Sequence, residues 1–260
     1  MSDHSSHINP DRFADSAGVS WSGRQFEANS WSGDDGSADP KLIEAIGSLR
    51  AGTGTAEEVL DALRDARVLI PLLADLGESG VGAHGQTVDK SADLSIVTVE
   101  TPDHQDGLPV FTSVSAMTAW NPQARPVPVF APKAALAAAQ ESNTRVIVDP
   151  MSATEFVVRR PAIAALAQGL PWVHPVRDPR VHAAFAEAIK VSDRIIGFEL
   201  HDIDPNALLD AAEIQLELRI VAGLTREELD PILQDLAKAL AASHDIAEYV
   251  DSLRVKLANA

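Results

Sequence analysis

The chain has 260 residues, a formal net charge of −17 and no cysteine; 45% of its residues are hydrophobic, 23% charged and 5% aromatic. That length supports two modest cores or one large one, and the missing cysteine excludes disulfides, thiolate metal sites and cysteine nucleophiles. A charge this negative argues against a phosphate-backbone or anionic-lipid partner, because both need lysine and arginine to neutralise phosphate, so neither nucleic acid nor a membrane is expected.

Residues 1–38 are rich in Ser, Gly, Asp and Asn and hold no sustained period, which reads as a flexible acidic arm. They show no basic segment followed by an apolar one, so no signal peptide is read. The longest apolar-dominated stretch, Val68 to Leu76, is broken by Pro71 and Asp75 and is far short of a membrane span. A cytoplasmic location is the expectation. Within the arm Trp-Ser-Gly occurs at Trp21 and again at Trp31. Trp21, Phe26 and Trp31 are read as anchors that dock on the folded body or on a partner protein, because tryptophan is costly to leave in water.

Order begins at Asp39, an N-cap, with Pro40 at the first helical position and Leu42, Ile43, Ile46 and Leu49 as the apolar face. Thr55 and Glu58 form a capping-box pattern ahead of Val59, Leu60 and Leu63. Val68 to Leu73 reads as a buried strand in which Pro71 suits an edge or a bulge better than a sheet centre. Gly77 to Gln86 is a turn-rich loop, and Leu94 to Glu100 and Leu108 to Phe111 are strands joined by a hairpin-like Asp103 to Gly107. Ser113 caps a helix from Val114 to Trp120. Val127 to Phe130 is a short strand, Pro132 opens an Ala-rich helix to Gln140, and Arg145 to Asp149 and Glu155 to Val158 are strands before a helix from Pro161 to Gly169.

Leu170 to Pro179 holds three prolines in ten residues and reads as a linker. Beyond it come a helix (Arg180 to Ile189), two strands (Arg194 to His201 and Glu213 to Val221), a helix (Thr225 to Ala242) and a strand (Ser252 to Leu257). Thr225 and Glu228 cap the second helix, whose Pro231 predicts a kink or a later start. The expected organisation is an arm (1–38), an N-terminal domain (39–169), a Pro-rich linker (170–179) and a C-terminal domain (180–260). The fold class is α/β (α+β), with a mixed sheet and flanking helices first and a smaller, mostly antiparallel α+β sandwich after it.

The string from Leu108 to Gly169, which opens LPVFTSVSAMTAW and closes VDPMSATEFVVRRPAIAALAQG, resembles the N-terminal domain of the SseB family. The arm and the closing IAEYVDSLRVKL resemble actinobacterial members of that family, so the resemblance implies a C-terminal SseB-like domain as well. The family is named for enhanced serine sensitivity, and the resemblance brings no established reaction. A sulfurtransferase bearing the same name works through a cysteine persulfide, which this chain lacks the residue to form.

Motif chemistry is sparse. There is no GxxxxGK[ST], GxSxG or HExxH, and Gly77, Gly80, Gly82 and Gly85 precede no helix in a dinucleotide pattern. Asp103-His104-Gln105-Asp106-Gly107 and Asp34-Asp35-Gly36 are acidic turns rather than ligand sets. Lys90 beside Asp89 reads as a surface pair, and Ser113 as a cap rather than a nucleophile. Arg159-Arg160-Pro161 places two guanidiniums ahead of a helix N-terminus, with Arg145 one strand earlier; these are the residues to contact a free anion or small ligand, with Trp120 and Phe156 as neighbours. The competing reading pairs each arginine with a nearby carboxylate. The chain is thus expected to be a non-catalytic binding or adaptor protein without cofactor or metal. A protein partner would dock on an exposed sheet edge or on Trp21, Phe26, Trp31 and Trp120, with the oligomeric state left open. An amino-acid or anion sensor at Arg159-Arg160 is the alternative. A hydrolase is the third, if distant Asp, His and Ser or Thr converge.

Overall fold

The computed structural model of the protein describes residues 31–74 and 94–259. The chain divides between Asp35 and Gly36, and the compact unit from Gly36 onward carries every helix and strand named below. In its first half, α1 (Pro40–Arg50) and α2 (Ala56–Asp65) precede β1 (Arg67–Ala74), β2 (Leu94–Ile96), β3 (Val99–Glu100) and β4 (Asp106–Val110). Then come α3 (Val114–Trp120), β5 (Arg125–Phe130), α4 (Ala131–Gln140), β6 (Arg145–Val148), β7 (Phe156–Arg159) and α5 (Arg160–Ala167). The second half holds α6 (Pro179–Ala188), β8 (Ile195–Asp202), β9 (Ile214–Ile220), α7 (Arg226–Ala242), α8 (His244–Tyr249) and β10 (Leu253–Asn259).

Local chemistry starts the helices where the residue types require. The Asp39 carboxylate accepts the Lys41 N–H at the head of α1, Thr55 and Glu58 close a reciprocal capping box on α2, and Ser113 accepts the Ala116 N–H on α3. Strands β2, β1 and β5 form one sheet and β3, β4, β6 and β7 another, joined by a bridge between Leu69 and Phe111. Every residue of β6 and β7 is buried, as expected of strands covered on both faces. The first core gathers Leu42, Ile46, Leu63, Val110, Val148 and Phe156 with the alanines of α4. The second packs Val181 and Phe185 of α6 and Leu236 of α7 on Ile214, Leu216 and Leu218 of β9.

Three expectations change. Pro71 lies in the central strand of its sheet, facing Pro126 of β5, while the β2 ladder begins one residue later at Leu72. Antiparallel partners alternate between pairs that exchange hydrogen bonds and pairs that do not, so two facing prolines remove no donor the ladder uses. Leu94 to Glu100 is two strands in two sheets, β2 pairing with β1 and β3 with β4. The C-terminal sheet is mixed rather than mostly antiparallel: β8 and β9 are antiparallel, but β10 runs parallel to β9 because helices α7 and α8 intervene as a crossover. Helix α7 begins at Arg226 with its capping box intact and runs through Pro231, which sits exposed in the second turn. Helix α8, capped by Ser243, was not anticipated.

The proline-rich segment 170–179 is docked. The Glu57 carboxylate of α2 accepts the His174 backbone N–H and pairs with Arg177, and Trp172 packs against the first core. Burial pushes the Glu57 carboxyl up, but Arg177 and the His174 N–H outweigh it and hold it below the usual range.

Candidate functional site

Arg145 and Arg159 face each other across the β6–β7 ladder, both nearly buried at 5% and 6% exposure. Two cations opposed at that depth are tolerable only with carboxylates between them. Asp251, ahead of β10, supplies the bridge: Arg145 donates to its two oxygens at 2.9 Å each, and Arg159 reaches Oδ2 at 3.2 Å. Asp103 takes a second fork from Arg145 at 2.7 and 3.1 Å. Arg159 also donates to Asp204, to the Ala211 carbonyl at 2.9 Å and to Ser252 Oγ at 3.1 Å. Burial works against the Arg159 charge, yet Asp204, Asp251 and Glu213 keep it more firmly protonated than a free guanidinium. Arg160 instead donates to the carbonyls of Ala247 and Val250 at the end of α8, where the helix dipole favours a cation. The acceptors met by the three candidate arginines are therefore the chain's own: carboxylates for Arg145 and Arg159, carbonyls for Arg160.

Beside this cluster lies a cavity of about 20 Å³ lined by Arg159, Trp172, His174, Asp202, Asp204 and Glu213 among others, room for a single water. Glu213 is 2% exposed; its Oε2 accepts the Asp251 N–H at 2.7 Å, while Oε1 has no partner. Burial drives its pKa up to about 7; the Asp251 N–H opposes the rise, the Asp251 charge adds to it, and Arg159 and Arg145 oppose it. His174 is held below its ordinary value, first by burial. Its Nδ1 accepts the Val176 N–H, which leaves Nε2 toward Asp202 at 3.7 Å. The cavity thus brings together histidine and carboxylates from distant segments. No serine, threonine or cysteine lines it.

The remaining sequence candidates are dispersed. Trp21, Phe26, Asp89, Lys90 and the loop Gly77 to Gln86 lie outside the described residues. Trp31 opens a turn closed by the Asp34 N–H on its carbonyl at 3.0 Å. Trp120 ends α3 half-buried with its ring 5.3 Å from Phe111, a packing contact rather than a free aromatic. The Thr112 N–H and hydroxyl both donate to Asp149, at 2.8 and 2.7 Å, and Ser113 caps α3. His104 pairs with Glu100 at the surface. Among the described residues no group of three or more His, Cys, Asp or Glu is placed to hold a metal, and no helix is long and apolar enough to cross a membrane.

The feature that sequence reasoning named only in general terms is an open sheet edge. Strand β10 pairs with β9 on one side, and no described strand pairs with its other side. Val255 and Leu257 stand in register with Leu216 and Leu218, which are fully buried, yet they are themselves 44% and 38% exposed. Helix α7 buries only Leu236 fully, leaving Leu229, Ile232 and Leu233 partly covered. Three other edges are defended. Strand β5 carries Pro126 and Pro128, β8 is bulged between Ile195 and Gly197, and β7 is covered by the Ala207 carbonyl on the Val157 N–H. Strand β10 has seven residues and neither proline nor bulge.

Residues 42–165 match the family model of the SseB protein N-terminal domain, which spans α1 through most of α5. No curated protein and no solved structure matches the chain.

Proposed function

We propose that the chain, which carries an SseB protein N-terminal domain at residues 42–165, is a non-catalytic, cytoplasmic binding protein of that family whose C-terminal sheet docks an extended segment of another protein along β10. The observation that carries this reading is the exposure of Val255 and Leu257 beside fully buried register partners. A strand added there would satisfy the outer backbone groups of β10 and cover two apolar side chains at once, the usual logic of strand addition. The reading draws further support from the buried arginines, whose donors are already engaged by internal acceptors.

Val255→Glu/Leu257→Glu tests it. Both positions are exposed, so the fold should survive with a midpoint of thermal unfolding close to wild type. Crosslinking and affinity purification from the native cell should recover a stoichiometric partner with wild type and lose it with the double variant. Hydrogen exchange on the purified complex should slow at residues 253–259. A partner retained by the variant, or protection elsewhere with β10 unchanged, would overturn the reading.

A further inference from the structure

The free edge of β10 selects its occupant by charge and by period. Side chains alternate between faces along a strand. In β10 the alternation is sharp: Arg254 and Lys256 stand in register with Gln215 and Glu217, while Val255 and Leu257 follow Leu216 and Leu218. Arg254 donates to Gln215 Oε1 at 2.8 Å and Lys256 to Glu217 at 2.9 Å. Those contacts draw both cations back over β9, so neither side chain folds across the outer backbone edge. Both remain exposed, and they form a basic pair on a chain of net charge −17.

Three occupants can be weighed. A helix has no unpaired backbone donors or acceptors to offer a strand edge. A second copy of β10 in antiparallel register would set one Arg254-Lys256 pair against the other, and like charges directly opposite destabilise a strand pair. A third kind of segment meets both faces. Resting on the docking reading above, we infer that β10 receives an extended segment in which acidic and apolar residues alternate. Its carboxylates lie beside Arg254 and Lys256, and its apolar side chains lie beside Val255 and Leu257. The backbone supplies affinity and the alternation supplies specificity, while the two cations speed encounter and suppress basic competitors.

The test uses the full chain and two synthetic peptides of equal length, one alternating Glu with Val and the other Lys with Val. Binding is followed by fluorescence anisotropy, and its location by hydrogen exchange. The Glu-Val peptide should bind at least about tenfold more tightly at low salt and slow exchange at residues 253–259. Arg254→Glu/Lys256→Glu should reverse the preference. Equal protection of β10 by both peptides would overturn the charge selection and leave the docking reading standing. If neither peptide slows exchange at β10, both fall. A concentration-dependent dimer in sedimentation that Val255→Glu/Leu257→Glu abolishes would seat a second copy on the edge and overturn the inference.

Discussion

Replacing Glu213 with glutamine should make the protein more stable above neutral pH while changing little in acid. In the fold the Glu213 carboxyl titrates near 7, against an ordinary value of 4.5. Between those values the folded protein keeps a proton that the unfolded chain has released, so protonated Glu213 stabilises the fold at low pH. That stability falls as pH climbs from the unfolded value through the folded one. Each tenfold in an ionisation constant is about 1.4 kcal/mol, so the group withdraws on the order of 3 kcal/mol between acid and mildly alkaline solution. Glutamine copies the protonated acid: its Oε1 can accept the Asp251 N–H now held by the carboxylate, and its amide replaces the acid proton on the unpartnered side. His174 acts in the opposite sense. Its folded value is depressed, so protonation of the unfolded chain costs the fold stability at low pH and that loss is relieved as pH rises. The comparison must therefore be between wild type and Glu213→Gln at each pH, where the histidine contribution cancels. Urea unfolding from about pH 5 to about pH 8.5 should show the two curves converging in acid and separating steadily above neutrality, with glutamine the more stable. Curves that stay parallel across the range would refute the assignment of a protonated Glu213 to the junction.

Two further comparisons probe neighbouring parts of the fold. Arg159→Ala should cost about 3–5 kcal/mol, because Asp204 is left buried without its cation, while Asp251 keeps Arg145 but loses one of its two guanidiniums. Arg160→Ala should cost roughly 1 kcal/mol or less, since its exposed guanidinium only caps two carbonyls; equal losses in urea unfolding would contradict the placement of the two. Asp149 has φ of +46° and accepts from the Thr112 N–H, the Thr112 hydroxyl and the Thr154 hydroxyl. Asp149→Ala should cost about 2–4 kcal/mol and Asp149→Asn markedly less, because asparagine tolerates that backbone and keeps an acceptor for Thr112. The same unfolding experiment decides between them.

What was legible in the sequence was local. Caps at Asp39, Thr55, Ser113 and Thr225 require only a side-chain oxygen two or three residues from an unsatisfied N–H, and all four stand in the fold. Parallel pairing of β10 was open to reading, because the helix between the two strands is long enough to serve as the crossover that a parallel pair requires. The buried cluster could not. Arg145 and Asp251 are separated by 106 residues, and no spacing rule connects them. The Arg159-Arg160 pair was a visible signal, but whether such a pair meets a ligand or a carboxylate of its own chain depends on which loops the topology brings over it. Exposure at β10 was hidden for the same reason. Its alternating residues have the pattern of a strand with one buried face, and Val255 and Leu257 are accessible where no described strand lies beside β10.

The cluster and the open edge are physically connected. Asp251 and Ser252 immediately precede β10; Asp251 is held by both arginines, its N–H by Glu213, and the Ser252 hydroxyl accepts from Arg159 and from the Glu213 N–H. The root of β10 is thus anchored to β6 and β7 in the first half of the unit, while the strand beyond it is fixed along its length by β9. A strand edge held at its root and along one side is preorganised, and docking on it costs less ordering than docking on a mobile segment. Protonation of Glu213 also keeps a further negative charge away from Asp251. If that charge loosens the root as pH rises, protection from hydrogen exchange, taken relative to the intrinsic rate at each pH, should fall at Asp251 and Ser252 before it falls within β9, and Glu213→Gln should remove the difference. An equal loss of protection across β9 and β10 would mean that the root is not separately anchored.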